Sequence, residues 1–147
     1  MPTDALQVQI RGIFPMPEGC AVFLGDAKKV FLIHVDESNG QTISLSLTSF
    51  KKERPLTHDL IANINAGFGI RLERMVINDA IGGTFYARII LRMDNELGVK
   101  MVEVDARPSD AIVLALNARK PILVSAKLWE KLPDAMAEMQ KLGRKKN

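Results

Sequence analysis

Three strand-length segments in a row, residues 70–77, 84–92 and 99–104, constrain this chain more than any other feature. In the middle one, Phe85, Ala87, Ile89 and Leu91 share one face while Thr84, Tyr86, Arg88 and Arg92 share the other, the period-2 signature of a strand. The separators, Gly82-Gly83 and Asp94-Asn95-Glu96-Leu97-Gly98, are turn sequences too short for a crossover, so the three strands form an antiparallel meander. The apolar face of that meander needs a cover. Residues 108–119 read as a helix apolar nearly all round and hence deeply buried.

Elsewhere the same signals recur. Leu6, Val8 and Ile10 alternate with Gln7, Gln9 and Arg11, a half-buried strand. Pro15, Pro17 and Gly19 mark a turn, after which residues 20–24 and 30–35 form a hairpin around Gly25-Asp26-Ala27-Lys28. Residues 41–50 are ambiguous. Ile43, Leu45 and Leu47 alternate with Ser and Thr as in a strand, yet Asp36-Glu37-Ser38-Asn39 suits the cap of a helix lined by Ile43, Leu47 and Phe50. Thr57 reads as an N-cap, followed by an apolar stripe of Leu60, Ile61, Ile64 and Phe68, with Gly67 and Gly69 as the stop. Residues 121–124 form a short strand, and residues 127–142 form one or two helices broken near Pro133. Strands grouped before and between a few helices give an α+β fold, a compact single domain with a largely antiparallel or mixed sheet. Residues 1–132 form the domain and 133–147 a terminal helix with a basic tail.

Composition narrows the chemistry. With 147 residues, 47% apolar and 25% charged, the chain fits one soluble globular domain. No apolar run reaches the ~18 residues of a membrane span, and the start lacks a signal-peptide pattern, so the expected location is the cytoplasm. Cys20 is the single cysteine and His34 and His58 the only histidines, which rules out an intrachain disulfide and a thiolate zinc cluster. A metal would rest on carboxylates. The net charge of +3 is uneven, with Lys141, Arg144, Lys145 and Lys146 in one cluster and Lys51, Lys52 and Arg54 in another. Such clusters permit phosphate contacts without requiring them. One Trp and one Tyr offer little for base stacking.

No glycine loop for phosphates is present, since Gly67-Phe68-Gly69 lacks both a further glycine and a following helix, and neither G-x-S-x-G nor H-E-x-x-H occurs. Two polar clusters remain. In Arg54-Pro55-Leu56-Thr57-His58-Asp59, His58 can act as a general base oriented by Asp59 or another carboxylate. Alternatively, His58 and Asp59 simply serve the helix cap. In Asp105-Ala106-Arg107-Pro108-Ser109-Asp110, Asp105 and Asp110 can hold a divalent cation, Arg107 a phosphate and Ser109 a hydrogen bond to either. Glu103 shares a strand side with Asp105. The alternative is an Arg107–carboxylate pair tying the strand end to the helix start, where Pro108 suits the first position and Asp110 the first turn.

Taken together, Arg54-Pro55-Leu56-Thr57-His58-Asp59-Leu60, Gly83-Thr84-Phe85-Tyr86-Ala87-Arg88 and Asp105-Ala106-Arg107-Pro108-Ser109-Asp110-Ala111-Ile112 resemble the bifunctional nuclease domain family in order and spacing. The likeness runs over roughly residues 5–130. It implies a compact α+β domain, often a homodimer, that cleaves both DNA and RNA without sequence specificity. It also places a helix after the third strand and so moves residues 36–50 from strand towards helix. There the family's usual glutamate falls at Asn39, and Gly40 replaces an alanine. By this resemblance the catalytic candidates are His58, Asp59, Asp105 and Asp110, and the substrate-binding candidates Arg54, Arg107 and Ser109. Mg²⁺ or Mn²⁺ on Asp105 and Asp110 is the implied metal, and nucleic acid the implied partner. Asn39 favours the alternative, a non-catalytic dimeric module that binds a ligand or partner through the same cleft.

Overall fold

A computed structural model describes residues 4–48 and 51–145. Strands β1 (Ala5–Pro15), β2 (Cys20–Gly25) and β3 (Val30–Val35) pair antiparallel in sequence. So do β4 (Ile70–Ile81), β5 (Thr84–Asn95) and β6 (Gly98–Ala106), the expected meander with longer strands. Gly82 and Gly83 both take positive φ, 57° and 84°, as a two-residue hairpin of this twist requires. The two antiparallel units become one sheet through β7 (Ile122–Ser125), which runs antiparallel to β1 and parallel to β4. The resulting order is β3-β2-β1-β7-β4-β5-β6, a mixed sheet in an α+β fold.

Helices α1 (Glu37–Ser46) and α3 (Pro108–Ala118) lie on one face of that sheet, with α2 (Thr57–Gly67) packed against α3 and β4. Between sheet and helices sits the main core, in which Ile43 of α1 and Ala111, Ile112, Val113 and Ala115 of α3 meet Val22, Leu24, Met75, Ile77 and Ile89. Each large side chain fully buried there contributes about 1.5–3 kcal/mol. A second cluster forms on the opposite face. Ala21, Phe23 and Ala135 pack there with Met136, Met139 and Leu142, so α5 (Met136–Lys145), beyond the short α4 (Ala126–Lys131), covers the β1–β2 end. The terminal segment is thus docked on the sheet along α5.

The ambiguous stretch after β3 is helical. Asp36 caps α1 by accepting a hydrogen bond from the Asn39 N–H at 2.7 Å. Only Gly40 and Ile43 of this helix are buried, Leu45 and Leu47 are exposed, and Phe50 lies outside the described residues. Gly40 sits against Cys20 so closely that a Cβ there would collide with Sγ and Cβ of the cysteine.

One expectation about α2 needs correcting. Its N-cap is Leu56 rather than Thr57, and leucine offers no oxygen, so the cap is made from inside the helix by Asp59, which accepts from the Leu56 N–H at 2.8 Å. Its apolar stripe faces outwards. Leu60, Ile64 and Phe68 are 53%, 51% and 67% exposed, and no residue of α2 is buried. The helix leans on α3 and β4 with its other side and leaves the stripe uncovered. No described helix is long and apolar enough to cross a membrane.

Candidate functional site

Asp110 is the centre of the polar network. It occupies the first turn of α3, which starts with Arg107 as N-cap and Pro108 inside the first turn. A proline is tolerated there because its missing N–H would have no helical acceptor, and a carboxylate there meets the positive end of the helix dipole. Arg107 Nε donates to Asp110 Oδ2 at 2.9 Å and its Nη2 to Oδ1 at 3.3 Å. His58 reaches across from the first turn of α2 and places Nε2 2.9 Å from Asp110 Oδ1. Burial, the largest single influence on Asp110, pushes its pKa up. The hydrogen bonds from Arg107 and His58, with their charges, outweigh it and leave the carboxyl below its ordinary range. Arg107 is held more firmly protonated by the same hydrogen bond.

This pairing fixes the imidazole. An ionised carboxylate only accepts, so Nε2 carries the hydrogen in this pairing, and in the neutral imidazole Nδ1 bears the lone pair. His58 also lines a cavity of about 160 Å³ with Thr42, Lys52, Asp59, Asn117 and Arg119, where α1, α2 and α3 meet. Asp59 does not orient His58. Its oxygens take Lys52 Nζ at 2.7 and 2.8 Å, the Leu56 N–H, and Asn117 Nδ2 at 3.5 Å. Burial again pushes its pKa up most strongly, and the Lys52 and Leu56 hydrogen bonds bring it below the usual value.

Asp105 is not brought to this network. Along β5 and β6 the register is unbroken, with Ala87 opposite Ala106 and Arg88 opposite Asp105. Ala87 and Ala106 belong to the core under the helices, so Asp105, like Glu103, projects from the other face of the sheet. Its side chain makes no hydrogen bond or ion pair among the described residues, and the same holds for Arg54, exposed before α2. Ser109 is buried beside Arg107. The donor set for a cation therefore does not fit as arranged. Both Asp110 oxygens are engaged by cationic or N–H donors, Asp105 is on the opposite face, and no group of three metal-ligating side chains gathers among the described residues.

The network also contains residues that sequence reasoning did not single out, namely Lys52, Asn117 and Arg119 around His58. Lys52 stood out only as part of a basic run, and its partner Asp59 is a side-chain contact across a loop. Asn117 carries no sequence signal, because only the end of α3 passing α2 brings it near.

Two proteins of Mycobacterium tuberculosis, "Uncharacterized protein MT1877" (strain CDC 1551 / Oshkosh) and "Uncharacterized protein Rv1829" (strain ATCC 25618 / H37Rv), are each 37% identical to this chain over 92 residues. The match covers 63% of this chain and 52% of each relative, so the chain spans about half the length of the curated relatives it matches. The family model for the Bifunctional nuclease domain matches residues 22–136, which takes in β2 to the start of α5 and every residue of the Asp110 network. The chain belongs to the bifunctional nuclease domain family.

Proposed function

We propose that this protein is a cytoplasmic nuclease that hydrolyses phosphodiester bonds of DNA and RNA without sequence specificity. The observation that carries the reading is the Arg107–Asp110–His58 network, in which one carboxylate orients an imidazole and a guanidinium side by side. Hydrolysis needs a water deprotonated for attack and charge stabilised at phosphorus. His58 Nδ1 takes the proton of the water as its oxygen bonds to phosphorus and the P–O bond to the leaving oxygen breaks. The imidazolium, stabilised by Asp110, returns the proton to that leaving oxygen, and Arg107 holds a non-bridging phosphate oxygen. Asp110 is a positioning residue in this scheme. Mg²⁺ or Mn²⁺ enters no step, since the Asp105–Asp110 pair is not assembled as a ligand set.

The test is cleavage of short DNA and RNA strands by purified protein, with Mg²⁺, with Mn²⁺ and with chelator, beside His58→Ala prepared identically. General acid–base assistance is worth about 10²–10⁴-fold, so His58→Ala should lose at least two orders of magnitude in turnover. Wild-type rates in that variant would sink the assignment.

A second reading has its own support. Arg107, Asp110 and His58 satisfy one another, as in a structural tie between β6, α2 and α3, which suits a binding module without turnover. Cleavage by neither protein in any metal condition would favour it. Under both readings the molecule is a homodimer. Beyond Asp59, α2 carries no charge, and its exposed stripe can pair with itself about a two-fold axis without like-charge repulsion.

A further inference from the structure

A second cavity opens on the other side of Arg107. It measures about 320 Å³ and is lined by His34, Asp36, Asn39, Thr84, Arg107 and Ser109 among others. The N-termini of two helices meet there, α1 starting at Asp36 and α3 at Arg107. The first N–H groups of a helix have no intrahelical acceptor and point their positive ends outwards. At α1 the cap is filled, since Asp36 accepts from both the N–H and the Nδ2 of Asn39. At α3 it is not, because Arg107 provides no side-chain cap and Pro108 has no N–H, which leaves the N–H groups of Ser109 and Asp110.

Ser109 gives the independent sign of a ligand. It is only 6% exposed and is the one buried polar residue among those described. Its hydroxyl has no hydrogen-bond partner among the described residues, yet it lines this cavity. The rest of the residue is packed away while the hydroxyl itself opens to the cavity, so it stands there as a donor and acceptor for whatever occupies that space. Arg107 adds a guanidinium whose Nη1 is not used by Asp110, and Thr84 adds a hydroxyl from the β4–β5 hairpin.

We propose that this cavity is a subsite for a single phosphodiester group of a nucleic-acid strand, held by Ser109, the first N–H groups of α3, Arg107 and Thr84. The charges select a diester. Arg107 is already paired with the Asp110 carboxylate and Asp36 adds a further negative charge, so a second charge on the ligand would go unmatched and a singly charged phosphate suits the cavity better than a doubly charged one. The subsite rests on the nucleic-acid reading above and deepens it, placing a phosphate next to the scissile one so that the strand crosses Arg107.

The experiment follows amide and side-chain shifts of the full chain by NMR during titration with three probes. They are a thymidine dinucleotide, its uncharged methylphosphonate counterpart and inorganic phosphate. The dinucleotide should shift Thr84, Ser109 and Asp110 in a saturable way, the methylphosphonate should bind at least tenfold more weakly, and inorganic phosphate should bind more weakly than the dinucleotide. Ser109→Ala should weaken dinucleotide binding about tenfold, and Thr84→Glu, at an exposed hairpin position, should abolish it by repulsion. Shifts confined to other basic residues, equal binding of the methylphosphonate, or tighter binding of inorganic phosphate would each overturn the subsite. The two readings fail separately. Dinucleotide binding without strand cleavage leaves the subsite and removes the nuclease, whereas cleavage with an unchanged KM and dinucleotide affinity in Ser109→Ala removes the subsite alone.

Discussion

Asp110 serves two cationic or N–H donors with one carboxylate, and that makes it sensitive to acid. Its pKa is lower folded than unfolded, because the Arg107 and His58 hydrogen bonds outweigh burial. Below the ordinary carboxyl value of about 3.9 the unfolded chain therefore binds more protons at this position than the folded one. The stabilisation is fully present above that value and is lost as pH falls through the folded pKa. Denaturant melts at pH 7 and at pH 3 should show this loss in the wild type, and Asp110→Asn should narrow the difference between the two. An identical pH difference in the variant would remove Asp110 from the acid limb. Gly40 makes the opposite point about local rules. Alanine in place of a helical glycine ordinarily stabilises by up to about 1 kcal/mol, but here the new methyl would strike Cys20. Gly40→Ala should destabilise by about 1–3 kcal/mol, and Cys20→Ala in the same chain should recover part of that loss, as read by urea midpoints.

At the scale of elements, the strands were legible and the helices less so. Alternation located β1 and β5 because a half-buried strand repeats every two residues whatever covers it, and the turn sequences between them located β2, β3, β4 and β6. The α1 segment is ambiguous because its Ser and Thr residues fall between Ile43, Leu45 and Leu47 as in a strand, while the cap at Asp36 points to the helix that forms. For α2 the period is legible and the direction is not, since a stripe of Leu60, Ile61, Ile64 and Phe68 looks the same whether it meets the core or a partner. The site divided along similar lines. Arg107, Ser109 and Asp110 are local to one helix start and could be read together, while the face of Asp105 depends on pairing parity with β5. Ile64→Glu puts a charge in the middle of the uncovered stripe without touching the core. Light scattering on a sizing column should show a dimer for the wild type and a monomer for this variant, with unchanged helical content by circular dichroism. A monomeric wild type would rule out the self-paired face.

At the scale of the whole molecule, the sheet consists of two antiparallel units joined by one short strand. Val124 is fully buried in β7, and four register pairs hold β7 to β1, from Ala5↔Ser125 to Val8↔Ile122. A chain ending at residue 120 should consequently lose the seam between β1 and β4 and the whole of α5. Such a chain should show no cooperative urea transition and should bind a dye for exposed apolar surface, whereas retention of a sharp transition would mean that one unit is stable alone. The order of synthesis gives this seam another meaning. β7 leaves the ribosome after every other strand, yet it belongs in the middle of the sheet. Until it emerges, the inner edges of β1 and β4 are two open templates held apart on one tethered chain. Either can pair with a neighbouring nascent copy, so the interval before residue 125 appears is when this protein is most exposed to misassembly.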